Sequence, residues 1–192
     1  MSVRKQLWVL AGGNGAGKST FYRTQLAPIG MPFINADILA KELYPENPER
    51  HSYDAALIAA EMRSRLLQEG CSFCFETVFS HPSKIDFIAQ AKALGYEIVL
   101  VAIHLDSVQL NHARISQRVL EGGHDVPADK VESRIPRLLL NIKAALPLCD
   151  HVRILDNSRA DDPFQQIVTI HRGRVTKHLK TLPQWAAELL SS

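Results

Sequence analysis

The stretch Gly12-Gly13-Asn14-Gly15-Ala16-Gly17-Lys18-Ser19 has the residue types and the spacing to hold a chain of phosphates. It fits the pattern G-x-x-x-x-G-K-[ST], in which glycines let the backbone curl so that successive N–H groups point at phosphate oxygens. Lys18 is placed to reach the β- and γ-phosphates, and the Ser19 hydroxyl to hold magnesium. The apolar run 6–11 reads as a buried strand leading into the loop, and a helix opens at about Lys18. The partial positive charge at that helix N-terminus adds to the same spot. Strand, loop and helix together make a chance glycine turn a poor explanation. The cofactors implied are ATP and Mg2+; the loop does not say which reaction follows.

Three carboxylates lie where strands end. Asp37, in Ile34-Asn35-Ala36-Asp37, follows a short strand at 33–35. In a sheet of this kind ligands gather at the strand ends, and a carboxylate there can accept the proton of an attacking hydroxyl during phosphoryl transfer. The plainer alternative makes Asp37 the N-cap of a helix starting at Ile38. Glu76 lies late in the apolar strand Phe73-Cys74-Phe75-Glu76-Thr77. It can orient magnesium through water or accept from substrate hydroxyls, or it can be half of a structural ion pair. Asp106 ends another apolar run, but Ser107 and a helix follow, so it reads as a cap and stays outside the catalytic set.

A second source of charge is the pair Arg114 and Arg118, one helical turn apart, with Arg134 and Arg137 on the next helix. Gly122, Gly123 and Pro127 stand in the bend between them. Two helices joined by a glycine hinge make a lid, over about 114–137, able to close arginines over phosphates and expel water. Arg114 can instead stack on adenine, since its guanidinium is planar. His124, in the bend, can contact substrate; the bland alternative for the whole segment is a pair of solvated helices.

The elements that must position these groups alternate. Strands are expected at 6–11, 33–35, 72–79, 97–105 and 152–155, and helices at 18–26, 51–69, 83–94, 108–120 and 128–146. In the 51–69 helix the apolar residues Leu57, Ile58, Met62 and Leu66 recur at helical spacing, with Gly70 ending it. The run 97–105 is nearly continuous in apolar residues, as a central parallel strand covered on both faces should be. Alternation implies a parallel sheet with right-handed crossovers. The tail differs: 166–170 and 175–179 flank Arg172-Gly173-Arg174 as a hairpin, and a short helix starts at Pro183. The fold class expected is α/β, a P-loop NTPase/kinase fold with flanking helices, a C-terminal hairpin and a helical lid, all in a single domain over 1–192.

Bulk properties narrow the partners. The chain has 192 residues, enough for a core without disulfides or metal. Its 22 basic and 20 acidic side chains leave a net charge of +2, which argues against duplex nucleic acid or a membrane surface as main partner. No apolar run is long enough to span a membrane or serve as a signal core, and the cysteines form no even disulfide framework, which favours a cytoplasmic setting. Cys71 and Cys74 have C-x-x-C spacing but run into a strand, and Cys149 stands alone, so buried or half-buried free thiols are expected. His104, His112, His151, His171 and His178 show no metal-ligand clustering, while Trp8 and Phe75 read as core.

The ordered set from Gly12 to Thr20, then Asn35-Ala36-Asp37, then Phe75-Glu76-Thr77-Val78-Phe79-Ser80, then the segment from Arg114 through Gly122-Gly123-His124-Asp125-Val126-Pro127, resembles the short branch of the zeta-toxin family of P-loop kinases. The resemblance covers roughly residues 7–158. It implies ATP-dependent phosphorylation of a UDP-amino sugar, UDP-N-acetylglucosamine, on a sugar hydroxyl. By motif, Asp37 would be the general base, Lys18 and Ser19 would handle phosphate and magnesium, and Glu76 with Thr77 would meet the sugar nucleotide. Arg118 and Arg134 would be the transition-state arginines, and a small antitoxin protein would be a partner. The other readings are a P-loop ATPase doing mechanical or transport work, a nucleic-acid end kinase, and a nucleotide-binding module without chemistry.

Overall fold

Two of the most apolar segments of the chain, β1 (Gln6–Gly12) and β4 (Glu97–His104), lie side by side and parallel at the centre of one sheet. The computed structural model describes residues 4–120 and 127–191. The sheet order is β2-β3-β1-β4-β5-β6-β7, with β2 (Phe33–Ile34), β3 (Phe73–Thr77), β5 (His151–Asp156), β6 (Gln165–His171) and β7 (Arg174–Lys177). Strands β1 to β5 pair in parallel, whereas β6 and β7 are antiparallel additions. The hairpin expected at the tail therefore continues the same sheet and makes it mixed. Its turn uses Arg172 and Gly173, both at positive φ (47° and 81°), which matches the twist of the flanking strands.

Helices cover both faces. Alternation in β1 sends Leu7, Val9 and Ala11 into one core with α3 (Ser52–Glu69), α4 (Ser83–Ala93), α6 (Ala128–Ala145) and α7 (Gln184–Leu190). Leu10 goes the other way, into a smaller core with Phe21, Leu26, Val101, Ile103 and Leu155. Trp8 shares that side but is only half-buried, with the Arg153 guanidinium over its ring, so it is a margin residue, not core. In α3 the buried positions are Ala55, Ala59 and Leu67; Leu57 and Met62 are 49% and 38% exposed, against the expectation from their spacing.

The helix after the phosphate loop is not uniform. α1 (Lys18–Phe21) passes into a π-helical turn, Tyr22–Leu26, and then a 3-10 turn, Ala27–Ile29. The Tyr22 ring stacks on Phe33 with centroids 3.9 Å apart, and its hydroxyl donates to the Met31 carbonyl at 2.8 Å, which ties this widened turn to β2. α5 (Val108–Leu120) and α6 run on either side of the bend 121–126. That bend, with Gly122, Gly123 and His124, lies outside the described residues, so the expected hinge has no structural account here.

Candidate active site

The chain leaves β1 between its neighbours β3 and β4, and the crevice at the ends of these three strands is where a ligand fits in an open α/β sheet. The loop there has no room for larger residues. A Cβ on Gly12 would lie 2.4 Å from the Ile103 carbonyl oxygen. Gly17 has φ 96°, and a Cβ on it would lie 2.5 Å from Asn157 Nδ2. Lys18 is buried, and its Nζ donates to the Gly12 and Gly13 carbonyls at 3.0 Å each, so the ammonium is held at the mouth of the loop.

Two buried asparagines brace this loop from outside. Asn111 on α5 donates from Nδ2 to the Asn14 carbonyl at 2.6 Å, and Asn157 after β5 donates to the Ala16 carbonyl at 2.9 Å. Asn157 Oδ1 also accepts from the Phe164 amide at 3.2 Å. Both residues are nearly fully buried, and each side chain bonds to backbone, the condition for a polar group to be tolerated there.

The carboxylates separate into distinct situations. Glu76 forms no ion pair among the described residues; its Oε2 accepts from the Ser19 hydroxyl at 2.7 Å. Register puts Glu76 beside Leu10, one strand away from the loop. Ser19 Oγ and Glu76 Oε2 thus make a pair of hard oxygen donors, the kind of set that suits magnesium when phosphate and water complete the shell. Asp37 does not cap its helix. The cap of α2 (Ala36–Leu43) is Asn35, whose Oδ1 accepts from the Asp37 and Ile38 amides at 2.7 and 3.2 Å. The Asp37 carboxylate is exposed in the cleft. Asp106 is exposed as well, and α5 is capped by Ser107, whose hydroxyl accepts from the Leu110 amide at 3.1 Å.

One cleft of about 600 Å³ gathers these groups. It is lined by the loop residues Asn14, Gly15, Gly17, Lys18, Ser19 and Thr20 together with Asp37, Glu76, Thr77, Arg114 and Arg134. Arg23, Ser52 and Lys130 also line it, although their sequence context singled out none of them. A side pocket of about 320 Å³ opens from Gly15, Gly17 and Thr20 toward Asn157, Arg159 and Phe164, with Arg114 on its rim. Gly12, Gly13 and Ala16 sit buried beneath the loop. Arg137 is elsewhere: exposed, it donates from Nε to the Ser133 carbonyl of its own helix. The side chain of Arg118 lies outside the described residues.

The wall after β3 is held in an unusual shape. Phe79 is fully buried with φ 59°, in the left-handed region. Its amide donates to Thr77 Oγ1 at 3.0 Å and its carbonyl accepts from Asn141 Nδ2 at 2.9 Å. Such backbone persists only where surroundings over-determine it, and here it turns the chain sharply after Glu76 and Thr77.

Thiol chemistry has no part in this geometry. Burial, and then the nearby Glu76 charge, push the Cys74 thiol well above its ordinary range, and burial raises Cys149 to about 12. Cys71, expected at least half-buried, is exposed. His151 and His171 meet across β5 and β6 with their Nδ1 atoms 3.0 Å apart, a pair and not a metal-ligand cluster. Among the described residues no group of three or more His, Cys, Asp or Glu could hold a metal. No described helix is long and apolar enough to cross a membrane.

A family profile described as an AAA domain matches residues 7–139. An uncharacterized protein of Haemophilus influenzae is 32% identical over 139 residues, 69% of this chain and 99% of that protein. Among solved structures, AvrRxo1-ORF1:-ORF2 with ATP superposes with a TM-score of 0.71 at 18% identity, over 92% of this chain; the chain spans only 61% of that one. The PezAT chromosomal toxin-antitoxin system of Streptococcus pneumoniae gives 0.68 at 17% identity, covering 98% of this chain and 83% of that one. A gluconokinase from Sinorhizobium meliloti gives 0.53 at 19%, covering 82% and 86%. At such identities the likeness is one of fold: an α/β P-loop fold.

Proposed function

This chain belongs to the AAA-domain family, and from that premise we propose that it is an ATP-dependent small-molecule kinase. One observation carries the reading: the loop that suits a triphosphate and the exposed Asp37 carboxylate open into the same cleft. An ATPase that only hydrolyses has no need of a carboxylate placed to take the proton of an acceptor hydroxyl.

In this reading the backbone amides of residues 13–19 and Lys18 hold the phosphates, and Lys18 exchanges its two carbonyl partners for phosphate oxygens. The base lies in the side pocket, with the Arg114 guanidinium against its face. Ser19 and Glu76 would hold magnesium, which neutralises charge on the β- and γ-phosphates. Asp37 accepts the proton of the acceptor hydroxyl as its oxygen bonds to the γ-phosphorus and the bond to the β,γ-bridging oxygen breaks. Arg134, with Arg118, neutralises the transferring group. Thr77 and Glu76 meet the acceptor, and the role of His124 as a substrate contact rests on the sequence motif alone.

For the acceptor we propose a UDP-amino sugar such as UDP-N-acetylglucosamine. The zeta-toxin resemblance supports it, and so does the cleft itself, where Arg23 and Lys130 add positive charge beyond Lys18, Arg114 and Arg134. An antitoxin protein is the partner this reading entails, and a reducing cytoplasm the setting that suits three free thiols. The test is incubation with ATP, magnesium and a panel of UDP-sugars, nucleosides and free sugars, read by mass spectrometry. A gain of one phosphoryl group on a UDP-amino sugar is the expected result. ADP release with no phosphorylated product across the panel would overturn the kinase reading.

A further inference from the structure

The end of the sheet farthest from β2 carries charge that the cleft does not use. From residue 163 to residue 187 there is no Asp or Glu, while Arg172, Arg174, Lys177 and Lys180 fall on or beside the β6–β7 hairpin. All four are exposed, and among the described residues none of them forms an ion pair. None lines the cleft or its side pocket. Among the described residues β7 pairs with β6 alone, leaving its outer backbone edge open, and Val175 at its middle is 46% exposed.

An open edge invites another strand, and charge decides which one. A second copy of this chain would bring Arg174 and Lys177 against their own like, so self-pairing is disfavoured. Single-stranded nucleic acid depends on aromatic faces for stacking, and residues 165–182 contain no Phe, Tyr or Trp, while the imidazoles of His171 and His178 are tied to His151 and Thr169. Along β7 the side chains alternate, Arg174 and Thr176 to one face, Val175 and Lys177 to the other. What complements this is an extended peptide with carboxylates near both ends and β-branched residues between.

We infer that the outer edge of β7 takes up an extended acidic segment of a partner protein as an eighth strand of the sheet. Main-chain hydrogen bonds give the contact its strength, and the four cations give it its sign and its salt dependence. The surface is independent of nucleotide binding.

The test uses the full chain and a fluorescent, end-capped peptide EETVTVEE, followed by anisotropy. Binding is expected to weaken about tenfold between low and moderate salt, as for exposed charge pairs. The double variant R174E/K177E should weaken it by about tenfold again, with ATP binding unchanged. Should that variant fold poorly, R172E/K180E serves, since both positions lie outside β7. The same peptide N-methylated at alternate amides should lose binding, because it cannot complete the ladder. Equal binding of the methylated peptide or of KKTVTVKK would overturn the proposal. So would tighter binding of oligo-dT or of phosphatidylserine vesicles, or no binding of EETVTVEE at all.

Discussion

Asp37 is free for chemistry because Asn35, two residues earlier, takes over the helix cap. Replacing Asp37 with Asn keeps the size and removes the proton acceptor. In the kinase reading kcat should fall by about 10²–10⁴-fold while ATP affinity stays as it was. Steady-state turnover beside equilibrium ATP binding measures both, and normal turnover would remove Asp37 from the role of base. Arg23 makes a different case. It lines the cleft but not the side pocket, and its guanidinium donates to Thr20 Oγ1 at 3.4 Å. Arg23→Ala should therefore raise the acceptor's KM by about tenfold with the KM for ATP unchanged. An equal rise for both substrates would place it among the nucleotide contacts instead. Asp37 was legible because it follows a strand end within a known kind of sheet. Arg23 was not, since nothing in residues 20–26 announces a π-helical turn that changes which way a side chain faces.

At the scale of elements, the phosphate loop and the β4 run could be read almost to the residue, because glycine geometry and unbroken burial leave plain marks in sequence. α3 could not. It packs through Ala55 and Ala59, whose small side chains leave no apolar rhythm, while Leu57 and Met62, which do make one, face solvent. Asn111 and Asn157 were equally hidden. Their partners are carbonyls 97 and 141 residues away, and an asparagine bound to distant backbone looks like any polar residue in a chain. The cap on α2 can be weighed directly. Asn35→Ala removes an acceptor from two amides at a buried position, and a loss of about 1 kcal/mol is expected from denaturant unfolding. A variant as stable as the parent would show that water replaces the cap at no cost.

Across the whole molecule, Glu97 joins three strands. Gln6 Nε2 donates to it at 2.7 Å, and His151 Nε2 lies 3.1 Å from its other oxygen. These hydrogen bonds, that from Gln6 foremost and then that with His151, hold its carboxyl below the usual 4.5. A group depressed on folding adds stability above its unfolded pKa and gives it up as pH drops through the folded one. The melting temperature should therefore fall as pH drops below about 4.5, and Glu97→Gln should flatten that part of the curve, measured by thermal melts from pH 7 to 3. Identical slopes would assign the acid loss to other carboxylates. The same view of the whole sheet separates the tasks proposed for it: nucleotide at the ends of β1, β3 and β4, acceptor toward β2, and a basic rim at β7 on the opposite border.

The widened turn after α1 makes the two grips of the cleft adjustable one at a time. Lys18 and Ser19 stand before it and Arg23 stands on it, along one continuous rod with a phase slip in the middle. Removing a single residue from Tyr22–Leu26 would restore the ordinary pitch, and because a π turn holds one extra residue, the rod beyond it would keep its bearing. The triphosphate cradle would keep its shape while a different side chain came round to meet the acceptor. In the kinase reading, a chain built this way can change its acceptor by gaining or losing one residue, without touching how it holds its phosphoryl donor.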